Sequence, residues 1–147
     1  GAPIDFAKVP AFQPEHFALL VNDDVTRFKQ FNKGLAQLEE EGTIQVLHSE
    51  DALRREPIVA AVGELQFDVV LARLEEEYGV KAKVQRLGFT GARWVTAAGG
   101  LPERVFIPSG MRRCHDREDR AVVLYSSNWE LEYFKKENPG LTLAEIS

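Results

Sequence analysis

One cysteine in 147 residues, Cys114, cannot close an internal disulfide. A reducing compartment, the cytoplasm, is therefore the expected setting. Long apolar runs are missing too, and none approaches the ~20 residues that a bilayer-spanning helix needs. The start, Gly1-Ala-Pro-Ile-Asp, has neither the basic nor the long apolar segment of a secretory leader. Glycine rather than methionine at position 1 reads as an excised piece or a cleaved tag. Positive charge is the minority sign: 18 lysines and arginines face 23 aspartates and glutamates, a net charge of −5. That balance weighs against a free-standing nucleic-acid binder and leaves room for a local basic patch.

Motifs that carry chemistry are scarce as well. No G-x-x-x-x-G-K-[ST] occurs, so no loop of this chain cradles nucleotide phosphates in the P-loop manner. His16, His48 and His115 lack metal-ligand spacing, and no metal or cofactor is expected here. Cys114, His115 and Asp116 are the residue types of a nucleophilic triad. Sequence neighbours point different ways, however, and a nucleophile needs its base within hydrogen-bond reach, so they read as a polar loop. Gly88-Phe-Thr-Gly91 matches the G-x-x-G of backbone-clamping KH domains. It lacks basic middle residues and follows a strand, so it reads as a turn. No catalytic residue is assigned, and the chain reads as a non-enzyme.

What is present begins with a globular composition, 44% hydrophobic and 28% charged. That fits one domain, or one domain with an appended subdomain. The chain also echoes itself. Residues 28–47 read FKQFNKGLAQLEEEGTIQVL, and residues 67–84 read FDVVLARLEEEYGVKAKV. Each is an apolar-periodic helix carrying Leu-Glu-Glu-Glu at its end, then a glycine and an alternating strand. Helix, glycine and strand, written twice, is the pattern of a split β-α-β sandwich.

Along the chain, residues 1–14 hold three of seven prolines and read as a linker or extended arm. Residues 16–21 read as a strand, and Asn22-Asp23-Asp24 offers caps for a helix. Phe28, Phe31, Leu35 and Leu38 share one apolar face of that helix, and Gly42 stops it. Glu39-Glu40-Glu41 sets like charge at the helix C-terminus, where the dipole disfavours it. A strand over 44–48, a polar loop over 49–56 and a strand over 57–62 follow. The second helix presents Phe67, Val70, Leu71, Leu74 and Tyr78, and a fourth strand runs over 80–87. The order βαββαβ predicts an α+β, ferredoxin-like sandwich over 15–87, with an antiparallel sheet and helices on one face. The expected C-terminal extension, 88–147, packs with that core. It has strands at 93–96 and 105–107, a solvated loop over 108–120, and a β-α-β tail from Ala121 onward. In that tail Asn128 caps the helix, and Trp129, Tyr133 and Phe134 anchor it.

Three blocks carry a family resemblance: residues 33–46, KGLAQLEEEGTIQV; residues 61–78, AVGELQFDVVLARLEEEY; and residues 92–95, ARWV. With the approach segment over 9–17, VPAFQPEHF, they resemble the C-terminal domain of bacterial peptide chain release factor 3, a translational GTPase. The likeness runs over about residues 8–96 and resumes over 121–143, placing nothing between. Elongation factor G and its kin share the shorter G-x-L-x-x-E with a following strand. The wording Leu65-Gln-Phe-Asp-Val-Val favours release factor 3 within that group.

The resemblance implies a third domain of a larger machine, with residues 1–14 as the exit from a β-barrel. GTP or GDP would be bound by an N-terminal domain outside this chain. The partners implied are the ribosome, on its small-subunit side, and indirectly the class I release factors, whose departure the family promotes. A monomer is expected. Two basic pairs, Arg54-Arg55 and Arg112-Arg113, are ordinarily solvated charges, and they are the candidate contacts to a phosphate backbone. Arg54-Arg55 is preferred, because a short loop between sheet strands can be aimed by a rigid scaffold. Other classes stay open: the third domain of another translational GTPase of the elongation factor G group, a small-ligand module using Gly63, or a small enzyme. The enzyme would need a convergent set of titratable groups.

Overall fold

Residues 13–51 and 53–146 are described by the structure, a computed structural model. The expected arm over 1–14 lies outside the described residues except for Gln13 and Pro14. Eight strands and three α-helices follow: β1 (His16–Asn22), α1 (Phe28–Glu40), β2 (Gln45–Ser49), β3 (Ile58–Ala61), α2 (Leu65–Tyr78) and β4 (Ala82–Leu87). Then come β5 (Gly91–Thr96), β6 (Arg112–His115), β7 (Ala121–Tyr125), α3 (Asn128–Glu137) and β8 (Thr142–Glu145).

The strands lie in the order β4-β1-β3-β2-β6-β7-β5-β8, and every pair is antiparallel. Its first half is the ferredoxin-like order, with both repeats of the sequence interleaved about the central β1–β3 pair. Alternation gives each half two faces. On one face of the first half, Leu20, Val46 and Val59 meet Phe31, Leu35 and Leu38 of α1 and Phe67, Val70 and Leu74 of α2. On its other face, Phe17, Leu47, Ile58 and Ala60 share a core with Ala92, Cys114, Val122 and Leu124 from the second half. Residues from both halves thus close on one another. The outer face of the second half, with Val123 and Tyr125, carries Leu131 and Phe134 of α3. The layers run helix, sheet, sheet, helix.

One expectation about helix faces needs correction. Phe28 is 64% exposed. A three-residue 3-10 turn, Val25–Arg27, capped by the Asp24 carboxylate, precedes α1 and makes Phe28 its first α-helical residue. Helical side chains lean toward the N-terminus, so the first one overhangs the end rather than lying on the sheet. Leu71 is half-buried on the flank of the α2 stripe, while Phe67, Val70 and Leu74 are fully enclosed. α1 and α2 come close at Gly34, where a Cβ would stand 2.6 Å from Leu74 Cδ2. Gly79 ends α2 in the left-handed conformation, φ 66°, which glycine adopts without strain.

The extension also departs from expectation. Residues 105–107 are not a strand, whereas β6 lies inside the segment read as a solvated loop. β6 joins the halves, pairing His48 with His115 and Ser49 with Cys114. In α3 the cap is Ser127, whose hydroxyl oxygen accepts from the Glu130 N–H. The Glu130 carboxylate accepts in return from the Ser126 N–H at 2.7 Å. Leu131 and Phe134 are the anchors; Trp129 is 72% exposed, stacked on the half-buried Tyr133.

Candidate functional site

A strand alternates its side chains, so Arg112 and Arg113, read as a pair, go to opposite faces. Arg112 follows Cys114 onto the inner face, directly across from the fully buried Leu124. Arg113 sits across from Val123, on the face that carries α3. Arg54 and Arg55 lie exposed on the β2–β3 loop, as expected. That loop is braced by Asp51, whose N–H donates to Ser49 Oγ and whose carboxylate accepts from the Leu53 N–H. The Asp51 carboxylate also stands 3.4 Å from Arg54 Nε.

The β2–β3 loop and the start of β6 flank one open cleft of about 350 Å³. Arg54 and Arg112 both line it, together with Ser49, Phe89 and Ser109. Arg113 lines it too, its carbonyl accepting from the Glu50 N–H, and the acidic Glu50 and Asp51 are also part of the lining. Arg55 does not line it. Three of the four arginines singled out in the sequence, Arg54, Arg112 and Arg113, thus reach one cleft.

Arg112 lies over the Phe89 ring, 5.2 Å from its centroid. Its Nη1 is buried and has no hydrogen-bond partner, alone among the buried side-chain polar atoms of the described residues. Burial, and then the charge of Arg54, press the Arg112 guanidinium below its usual value. It nonetheless stays charged, since arginine is a very weak acid. Phe89 and the two serines are functional candidates that sequence reading missed; a lone aromatic inside the glycine turn over 88–91 was the signal available.

The other tempting residues are accounted for by the fold. Cys114 is fully enclosed, and burial pushes its thiol up to about 12, so no thiolate is on hand. The Asp116 carboxylate accepts from the Glu118 and Arg120 N–H groups, from Trp94 Nε1 and from Arg120 Nε. Desolvation works to raise its pKa, but those donors win and hold it below the usual aspartate value. Asp116 organises the turn from β6 into β7. His115 stacks on His48, centroids 5.5 Å apart, and its Nδ1 lies 3.1 Å from a Glu50 carboxylate oxygen. Among the described residues no cluster of three metal-ligating side chains occurs. A larger cleft of about 650 Å³ lies between α3 and β8, but its cations are engaged. Arg93 donates to the Ala92 carbonyl and covers Tyr125, while Lys135 pairs with Glu132. No helix among the described residues is long and apolar enough to cross a membrane.

The family described as "Class II release factor RF3, C-terminal domain" matches residues 6–135. Peptide chain release factor 3 of Gloeobacter violaceus is 43% identical over the whole chain, which covers 28% of that protein. Its counterparts in Rippkaea orientalis and Synechocystis are 40% and 41% identical, again over the whole chain and 27% of their own lengths. The chain thus spans little more than a quarter of these relatives. The chain belongs to the family of the C-terminal domain of class II release factor RF3, a family of translation termination.

Proposed function

We propose that this chain is the ribosome-engaging third domain of a translation-termination GTPase that promotes release and recycling of class I release factors. The observation that carries this reading is family membership over nearly the whole chain. A cleft in which Arg54, Arg112 and Arg113 outnumber Glu50 and Asp51, in a domain of net charge −5, supports it. The architecture suits the role. The two halves of the sheet and three helices around shared cores form a stiff block, and a stiff block passes on a rotation without deforming. GTP and GDP belong to the N-terminal domain of the intact factor, and this chain contributes contacts rather than chemistry.

The test uses the full-length factor with Arg54→Glu and Arg55→Glu combined, in a release-factor recycling assay. Recycling should slow while the melting temperature stays near wild type, because exposed charges contribute little to folding. Wild-type recycling would move the ribosome-facing surface away from the β2–β3 loop. The purified chain should also neither bind nor hydrolyse GTP; turnover above contaminant level would contradict its place as a non-catalytic domain.

A further inference from the structure

We propose that the cleft between the β2–β3 loop and the start of β6 seats one backbone phosphate of RNA, with Arg112 as its floor and Arg54 as its outer clamp. This rests on the ribosome-engaging reading and adds to it a site and a ligand chemistry.

The argument begins with the position of Arg112. Register places it on the inner face, two residues from the fully buried Cys114 and opposite the fully buried Leu124. Folding alone would favour an apolar side chain there. An arginine instead leaves a buried N–H without an acceptor, a standing cost to the free domain. An anion entering the cleft would supply the missing acceptor. Glu50 and Asp51 line the same cleft but do not fill that place: Glu50 lies against His115, and Asp51 is held by the Leu53 N–H and Arg54.

The second element is preorganisation. Phe89 holds one face of the Arg112 guanidinium, and Phe89 is itself packed edge-on against Phe17 of the inner core. The plane of the guanidinium is thereby fixed, and a fixed fork loses less entropy on binding. Arg54 brings a second positive charge to the same cleft. Arg54 is shared with Asp51 at 3.4 Å, whereas Arg112 Nη1 has no partner, so the unmet demand for an anion comes from Arg112 and Arg54 adds to it. Ser49 adds a donor, because its oxygen already accepts from the Asp51 N–H and its hydroxyl proton is free to point elsewhere.

The third element selects the ligand. Donors from two guanidinium groups and a serine surround a tetrahedral group better than a flat carboxylate, which a single fork satisfies. A volume of about 350 Å³ holds a phosphate with part of its sugars. The cleft is open, so a polymer backbone can pass through it. Phe89 has given a face to Arg112 and is half-buried, which argues against a stacked base. The contact is therefore to the backbone and independent of base sequence.

The experiment uses the full-length factor on ribosomes. Benzoylphenylalanine placed at position 109 instead of the exposed Ser109 should, on irradiation, form an adduct with ribosomal RNA. An adduct with ribosomal protein alone would overturn the proposal in favour of an acidic peptide. Independently, Arg112→Met keeps the packing on Phe89 and removes the fork. It should weaken ribosome binding on the order of tenfold and lower the slope of log affinity against log salt by about one. The melting temperature should hold or rise, since the orphaned donor is gone. Wild-type affinity and slope in Arg112→Met would overturn the proposal. The broader reading fails differently: then probes at Arg55 and Trp129 would also give no adduct with any ribosomal component.

Discussion

The carboxylate of Glu39, in the last turn of α1, accepts a hydrogen bond from the Val46 N–H of β2 at 2.6 Å. Glu39-Glu40-Glu41 reads in sequence as like charge at the wrong end of a helix. The structure gives two of the three a tertiary partner. Glu39 reaches across the Gly42 turn, and Glu41 receives the Arg73 guanidinium of α2 at 2.7 and 3.0 Å. What helix physics disfavours locally, the neighbouring elements offset.

Glu39 makes a discriminating pair of substitutions. Burial raises its pKa above 4.5 and outweighs the opposing Val46 bond. A folded pKa above the unfolded one contributes stability that is fully present below about 4.5 and lost as pH rises through the folded value. Glu39→Gln keeps an acceptor and removes the charge, so at neutral pH it should match or exceed wild type in urea unfolding. Glu39→Ala should lose about 1–2 kcal/mol. A Gln variant as weak as the Ala variant at neutral pH would show that the ionised form is needed.

The α1–α2 seam predicts an order of sensitivities. Leu74 is fully buried, and Leu74→Ala should cost about 2–5 kcal/mol. Gly34→Ala should cost about 1–3 kcal/mol, because the new methyl meets Leu74 and Tyr78. Leu71→Ala, on the flank, should cost less than Leu74→Ala. Denaturant titration of the three variants checks this, and equal losses at positions 71 and 74 would mean the helix is rotated from its described face.

The sandwich was legible because Phe31, Leu35, Leu38 and Phe67, Val70, Leu74 keep helical spacing and are bounded by glycines. Such signals are local. β6 was not legible for the opposite reason. Among Arg112-Arg113-Cys114-His115 only the cysteine is apolar, and one of the strand's two partners, β2, lies more than sixty residues earlier. Pairing supplied from outside overrode a polar local sequence. Phe28 and Trp129 misled because a large aromatic near a helix N-terminus satisfies the apolar period without reaching the core. The candidate site was half legible. Arg54 could be placed on a loop from sequence, whereas the inward aim of Arg112 follows only from the register of β6.

Cys114 gives a test of that register. Its sulfur lies in the core shared by the two halves, and burial pushes the thiol up to about 12. At mildly alkaline pH the native protein should react with a disulfide reagent only as fast as it opens, and denaturant should make reaction immediate. Cys114→Ser should cost about 1–3 kcal/mol by burying a hydroxyl in an apolar site. Rapid native labelling would place β6 outside the sheet.

The His48–His115 stack should make the joint between the halves sensitive to acid. Partial burial of the ring, and then the charge of His115, lower the His48 pKa below 6.5. A histidine whose folded pKa is depressed takes up its proton more readily in the unfolded chain. Its contribution to stability is therefore intact above about 6.5 and declines as pH falls from there toward the folded value. The effect is local to the β2–β6 pair, since His48 and His115 are directly opposed in register. An NMR titration of the His48 ring should give a midpoint below the ordinary histidine value. In His115→Asn that midpoint should move upward, because the like charge is gone and more of the ring meets water. Amide exchange at His48 and His115 should quicken below the midpoint before the rest of the sheet responds. A His48 midpoint unmoved by His115→Asn would show that the stack carries no electrostatic coupling.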